Sequence, residues 1–174
     1  MDPAAAAVAS QPQPPLRPPA HQVSRRAVLW WRLRSLLTLL VVVLPQVAVL
    51  VAFGADSPGW LTYTAVGSAV LIGLYALLVP PLLFRIHRWE ITTEAVYTLS
   101  GWLVREWRIA PISRVQTVDT ERGPLQQLLK LANLTVTTAS ARGPVKISGL
   151  DEHTATELAR TLTETTQATP GDAT

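Results

Sequence analysis

The 174-residue sequence predicts an α+β membrane protein: a two-helix transmembrane hairpin followed by an antiparallel β-barrel or sandwich that a C-terminal helix closes. Three observations carry this expectation. Between Leu36 and Phe84 there is no Lys or Arg, and Asp56 is the only acid; a soluble domain rarely leaves so long a stretch without basic residues. Arginines cluster on both outer flanks of that stretch. Beyond Arg88 the hydrophobic pattern changes to period two, then to a helical period near the C-terminus.

Residues 1–24 read as a disordered Pro/Ala-rich arm, with Pro14-Pro15 and Pro18-Pro19 and no apolar period. Residues 25–84 form the basic juxtamembrane segment and the hairpin. Leu36–Phe53 would cover about 27 Å as a helix, enough for the hydrocarbon core. Pro45 at its middle should kink it rather than end it. Gly54–Gly59 is a short polar turn. The second span runs from Trp60 or Leu61 to about Val79, and Pro80-Pro81 should end it near the interface. Ala65, Ala69 and Gly73 on one span, and Ala48 and Ala52 on the other, recur every four residues and are candidates for close helix packing. A cleavable signal sequence is the rival reading, since Ala52-Phe53-Gly54-Ala55 holds small residues; the long preceding arm and the second span that follows at once argue against it.

Charge sets the orientation. Arg25, Arg26, Arg32 and Arg34 precede the first span, Arg85 and Arg88 follow the second, and the connecting turn has no positive charge. Positive-inside logic then places both termini in the cytoplasm, at a bacterial inner membrane. Trp30, Trp31, Trp60 and Trp89 fall where interfacial indoles are favoured. The net charge of +3 belongs to the arm and girdle: residues 85–174 carry equal numbers of basic and acidic side chains. No basic footprint for nucleic acid is present.

Residues 85–165 read as the folded domain and 166–174 as a disordered tail. Trp89 and Ile91 alternate with polar neighbours, as do Ala95, Tyr97 and Leu99. Leu103, Trp107 and Ile109 share a third strand face, interrupted by Arg105. Val115–Arg122 is a further strand, and Leu134 and Val136, then Val145 and Ile147, give the last two. Turn signals stand at Thr93-Glu94, Ser100-Gly101, Ala110-Pro111 and Arg142-Gly143-Pro144. Pro124–Leu131 is a short helix capped by Gly123, with Leu125, Leu128, Leu129 and Ala132 on one face. The last helix spans about Glu152–Thr163, with Asp151 as N-cap and Ala155, Leu158, Ala159 and Leu162 as its apolar stripe.

The segment from Ala110 to Ala139 resembles the central signature of bacterial membrane-flanked pleckstrin-homology-like (PH-like) domains, most closely the YdbS-like group. Its pattern is met by Pro111, Arg114, Val115, Gln116, Gly123, Pro124, Leu125, Leu131, Ala132, Leu134, Thr138 and Ala139, and the two upstream spans match the family layout. The likeness covers about residues 25–165. Lys130 departs from it, standing where the family often has Gly. The resemblance implies a PH-like fold, a membrane location, and partnership with a larger membrane protein carrying several such domains; it implies no settled activity.

Nothing in the sequence points to catalysis. Cysteine is absent, which excludes thiolate chemistry. His21, His87 and His153 have no metal-ligand spacing, no glycines build a nucleophile elbow, and no Gly-rich loop cradles phosphate. Neither metal nor cofactor is expected. Asn133-Leu134-Thr135 matches a glycosylation triplet by chance, on an expected cytoplasmic strand. The candidate partner groove is Arg114, Gln116, Asp119, Gly123, Pro124 and Leu125. A structural reading competes: Arg114 pairing a nearby carboxylate and Gln116 bonding irregular backbone. The expected function is a membrane-tethered, non-catalytic interaction module, an accessory or scaffolding subunit of an inner-membrane complex. The alternative is a sensor of lipid headgroups at the membrane surface, with the arginine girdle attracting anionic lipid. The sequence leaves the oligomeric state open.

Overall fold

A computed structural model describes residues 17–139 and 143–168. The first sixteen residues of the expected arm, Arg142 of one expected turn and the tail beyond residue 168 lie outside the described residues.

Two helices of equal length form the hairpin. Helix α1 spans Arg26–Phe53 and α2 spans Gly59–Ile86, each of 28 residues, joined by a tight turn at Gly54–Asp56. Each is about 42 Å long at 1.5 Å per residue, roughly 12 Å more than the hydrocarbon core requires. The surplus is used at the domain end. There Ala27, Trp31, Val79, Pro80 and Phe84 pack in protein, whereas Val41, Val51, Tyr63 and Leu71 are largely exposed for lipid.

Helix α1 continues through Pro45, as expected. The expectation that Pro80-Pro81 would end α2 is corrected: the helix runs on to Ile86. Proline's φ suits a helix, and the loss is of backbone donors. Here Ala76, Val79 and Pro80 are buried, so packing holds the helix through the gap. The helix ends where the backbone N–H and Nδ1 of His87 both reach Leu83 O, at 2.8 and 2.9 Å.

The small-residue expectation divides. Ala65 is buried and Ala69 and Gly73 half-buried, but Ala48 and Ala52 are exposed. The inward face of α1 is instead Ser35, Leu39, Val43, Gln46 and Leu50. Residues two positions from that row sit about 200° round the helix, on the lipid side. Gln46 Nε2 donates to Val42 O at 2.8 Å and reaches Ser68 Oγ on α2 at 3.3 Å, a polar cross-link within the spans.

The domain holds two antiparallel sheets that do not close into a barrel. The first has the order β1–β2–β3–β4: His21–Gln22, Arg88–Ile91, Ala95–Ser100 and Glu106–Pro111. The second has the order β5–β6–β7: Val115–Glu121, Leu131–Thr138 and Val145–Asp151. Their inner faces share one core, including Val96, Ala110, Ile112, Leu134, Val136, Ile147 and Leu150. Helix α4 (Glu152–Ala168) covers one side with Ala155 and Leu162 fully buried and Leu158 and Ala159 half-buried. Asp151 Oδ1 accepts from His153 N at 3.3 Å, the expected N-cap.

Four further expectations are corrected. First, the arm from residue 17 onward is built into the domain. Pro19 is fully buried, Val23 is 5% exposed, and β1 pairs with β2 in the register His21↔Trp89 and Gln22↔Arg88. The edge of β2 offered unpaired backbone groups, and a short strand from the arm satisfies them. Second, the expected tail start at 166 falls inside α4, where Thr166 Oγ1 donates to Leu162 O at 2.7 Å. Third, the core face of β4 is Ala110, followed by Ile112, and not the Leu103, Trp107 and Ile109 set: Leu103 lies in the β3–β4 loop and Trp107 is 39% exposed. Strand β3, central in its sheet, is buried on both faces. Fourth, the short helix α3 is only Pro124–Leu128. Leu128 is 80% exposed, and Ala132 already belongs to β6. Lys130 ends the helix by adopting φ 53, the left-handed conformation that turns the chain into β6.

Candidate functional site

The chain offers two surfaces of different character, set at opposite ends of the first sheet. Strand β2 starts two residues beyond α2, and its Arg88 pairs with Leu99. The end of the sheet holding Arg88, Leu99 and the β3–β4 loop is therefore membrane-proximal. The β2–β3 turn is membrane-distal, closed by Thr92 Oγ1 accepting from Glu94 N and Ala95 N at 3.3 and 3.1 Å. Ile112 N bonds Glu94 O at 2.9 Å, which places the β4–β5 corner at the distal end too.

That corner carries the polar half of the sequence signature. Arg114 ends a single 3-10 turn, Ile112–Arg114, and its carbonyl accepts from Ala139 N at 3.2 Å. Gln116 lies at the bulge where the β5–β6 register shifts between Val115 and Thr117. Both side chains are exposed. The competing structural reading is corrected here: among the described residues neither the Arg114 guanidinium nor the Gln116 amide has a hydrogen-bond or ion-pair partner. Asp119, also exposed, accepts from Thr117 Oγ1 at 3.2 Å. Strand β5 is the edge of its sheet, so Arg114, Gln116 and Asp119 flank a row of unpaired backbone groups.

Gly123, Pro124 and Leu125 lie beyond the other end of β5, roughly 23 Å away at 3.3 Å per residue over its length. The six residues expected to line one groove do not converge. The second half of the signature does structural work. Gln126, only 3% exposed, accepts from Gly123 N at 2.9 Å and donates to Asn133 Oδ1 at 2.8 Å. Asn133 Oδ1 also accepts from Gly149 N at 3.2 Å, across the bulge between β6 and β7. The network ties α3 to both strands and ends at Gly149. There φ is +80, a Cβ would stand 2.7 Å from Ala27 Cβ of α1, and the carbonyl accepts from Ser24 N at 2.9 Å. Sequence pattern gives no sign of this buried pair: Gln126 stands between Leu125 and Gln127, and Asn133 opens the chance triplet Asn133-Leu134-Thr135.

At the membrane end, Arg25, Arg26, Arg32, Arg34 and Arg85 are exposed, as a girdle requires. Arg26 also meets Asp151 at 3.5 Å. Arg88 is half-buried and donates to Pro19 O at 3.4 Å, so it braces the arm. Of the four tryptophans expected at the interface, Trp60 is 64% exposed and Trp30 and Trp31 half-buried. Trp89 is corrected: at 8% exposure it is a core residue, its ring 4.9 Å from His21 and its indole N–H on Gln22 O at 3.3 Å. The pleat of β2 points it inward, and the arm closes over it. His87, half-buried and 5.4 Å from the Trp31 ring, has its pKa lowered from 6.5, chiefly by burial, with the bond to Leu83 O opposing.

No three His, Asp or Glu side chains come together in metal-binding geometry among the described residues. The cavity between the sheets, lined by Val23, His87, Thr98 and Ile147 among others, holds about 10 Å³, room for one water.

No solved structure matches the chain. It is similar to a transmembrane protein, YdbS of Bacillus subtilis (strain 168), with 30% identity over 125 residues, covering 70% of this chain and 78% of the relative. The family model described as the bacterial PH domain matches residues 33–166, which take in most of both helices and nearly all of the sheet domain. With that match, the two apolar helices and the two unclosed antiparallel sheets capped by a helix, the chain belongs to the bacterial PH domain family and is a membrane-associated, YdbS-like member of it.

Proposed function

We propose that this protein is a non-catalytic interaction module, an accessory or scaffolding subunit that meets a larger membrane protein through its membrane-distal corner. It sits in a bacterial cytoplasmic membrane with both termini on the cytoplasmic side, where the exposed arginines of the girdle are retained. The observation that carries the reading is the state of Arg114 and Gln116. Both are exposed and, among the described residues, without a hydrogen-bond or ion-pair partner, and they flank the edge strand of their sheet, which can accept another chain. Their position also weighs against the lipid-headgroup alternative. The length of β3 separates the distal corner from the membrane end, about 20 Å at 3.3 Å per residue. That is twice the Debye length of about 8–10 Å at physiological salt, so a headgroup exerts little pull on Arg114. Tethering confines the corner to the surface and raises its effective concentration for a membrane-bound partner.

The test is purification of the full chain from its native membrane in mild detergent. The wild type brings down a discrete larger membrane protein, and Arg114→Glu loses it while remaining membrane-inserted. Recovery of the wild type alone, or capture untouched by Arg114→Glu, overturns the proposal. A vesicle-binding preference for anionic lipid that depends on Arg114 favours the headgroup reading instead.

A further inference from the structure

At the opposite end of the first sheet, the β3–β4 loop has a composition unlike a soluble hairpin. Its residues are Gly101-Trp102-Leu103-Val104-Arg105, and the exposures are 44% for Trp102, 77% for Leu103 and 79% for Val104. Trp107, level with Leu99 in the ladder, adds a further indole at 39%. Four large apolar side chains thus stand together in the open, with exposed Arg105 beside them. Apolar tips of this kind mark an interaction site. The loop is also tightly built. Gly101 has φ +88, and a Cβ there would collide with the carbonyl oxygen of Val104, so only glycine lets the chain double back and hold Leu103 and Val104 at the tip.

The register fixes what this tip faces. Arg88 pairs with Leu99, and Ser100 pairs with Glu106. Ser100 is therefore level with His87, the residue that follows α2, and residues 101–105 continue past it on the membrane side. Domain and bilayer are already close at this point. Phe84 and Trp31, on the emerging ends of α2 and α1, pack against the domain core, and the helices rise only about 12 Å above the hydrocarbon. The lipid-facing Leu78 and Leu82 of α2 are 55% and 43% exposed. Strand β3 packs against α2, so the loop that follows it lies at the same helix end. An indole beside aliphatic tips and a cation is the side-chain set that the headgroup–acyl boundary favours.

We infer that the β3–β4 loop inserts Trp102, Leu103 and Val104 into the interfacial layer of the bilayer that the spans cross, and that this contact fixes the tilt of the domain. It is a third membrane attachment besides the two helices. With it, the distal corner points away from the surface instead of swinging on the short linker at His87. The inference does not depend on what the distal corner binds.

The natural chain has no cysteine, so a single introduced thiol is a unique label site. The full chain is prepared as Leu103→Cys and, separately, as Val104→Cys and Glu94→Cys, each labelled with an environment-sensitive fluorophore. Each is reconstituted into phosphatidylcholine–phosphatidylglycerol vesicles with and without a nitroxide on the lipid acyl chain. Residues 103 and 104 are mostly exposed and Glu94 lies in the distal turn, so none of the three changes removes a core contact. The inference expects blue-shifted emission and strong nitroxide quenching at 103 and 104, with neither at 94. Red-shifted, unquenched emission at 103 and 104 overturns it, because the loop is then in water. Blue-shifted but unquenched emission overturns it as well, because protein then covers the loop. Equal quenching at 94 and 103 also refutes it, since the domain would then lie flat on the surface.

Discussion

Replacing Gly149 with alanine tests how the domain is held to its membrane anchor. The residue sits on β7 at φ +80, and the added methyl would stand 2.7 Å from Ala27 Cβ, on a helix side chain that is itself fully buried. Two penalties add. Left-handed backbone costs an L-residue about 1–2 kcal/mol, and overpacking a closed contact costs about 1–3 kcal/mol. The sum, about 2–5 kcal/mol, is a large share of the roughly 5–15 kcal/mol available to a domain. The assay is denaturant unfolding of the full chain in detergent, followed by tryptophan emission, for which buried Trp89 is a reporter. A double-mutant cycle with Ala27→Gly separates the two penalties. Removing the Ala27 methyl relieves the overlap but not the φ strain, so the pair should show a coupling of about 1–3 kcal/mol. A cost for Gly149→Ala below about 0.5 kcal/mol, or strict additivity with Ala27→Gly, refutes the docking of α1 on β7.

Three further outcomes follow from the same geometry. Asn133→Ala removes the acceptor of both Gly149 N and Gln126 Nε2 and should destabilise by about 2–6 kcal/mol, since each orphaned buried donor costs about 1–3 kcal/mol; a loss under about 1 kcal/mol in the same unfolding assay speaks against a closed network. Lys130→Gly relieves the strain of φ 53 and should raise the unfolding free energy by up to about 1 kcal/mol, part of the gain being lost to the entropy of glycine; a lower unfolding free energy contradicts the assignment. His87 sets a pH dependence. Its folded pKa lies below the ordinary 6.5, so between the two values the unfolded chain holds the proton and the folded chain does not. Stability therefore falls as pH drops from about 6.5 to the folded pKa and levels off below it. His87→Gln should flatten that slope, and an unchanged slope in the variant assigns it elsewhere.

The sequence showed most where one physical signal acted alone. The stretch from Leu36 to Phe84, with no Lys or Arg, reads directly as two spans, and period-two alternation marks β2, β3, β6 and β7. It misled where a tertiary partner overrode local chemistry. Pro80-Pro81 looked like a stop, but burial of Val79 and Pro80 carried α2 onward. Trp89 looked interfacial because it follows a span, yet the strand pleat and the arm enclose it. The arm itself has no periodicity, and its two-residue strand exists only because β2 left an edge open. Within the signature, Arg114 and Gln116 are legible in the sequence, whereas their exposure and their lack of a partner among the described residues come from the structure. The Gln126–Asn133 pair was invisible because a buried amide is recognised only by what it satisfies, here a bulge and the donor of Gly149.

The measurement that reaches the central claim most directly is site-specific photocrosslinking from position 116 in native membranes, with the reactive group replacing Gln116 in the full chain. The exposed edge of β5 predicts a discrete adduct with one larger membrane protein, lost when Arg114→Glu is introduced into the same chain. Crosslinks to lipid alone, or a crosslinking pattern indifferent to Arg114, would contradict the assignment of the distal corner as the protein's working surface.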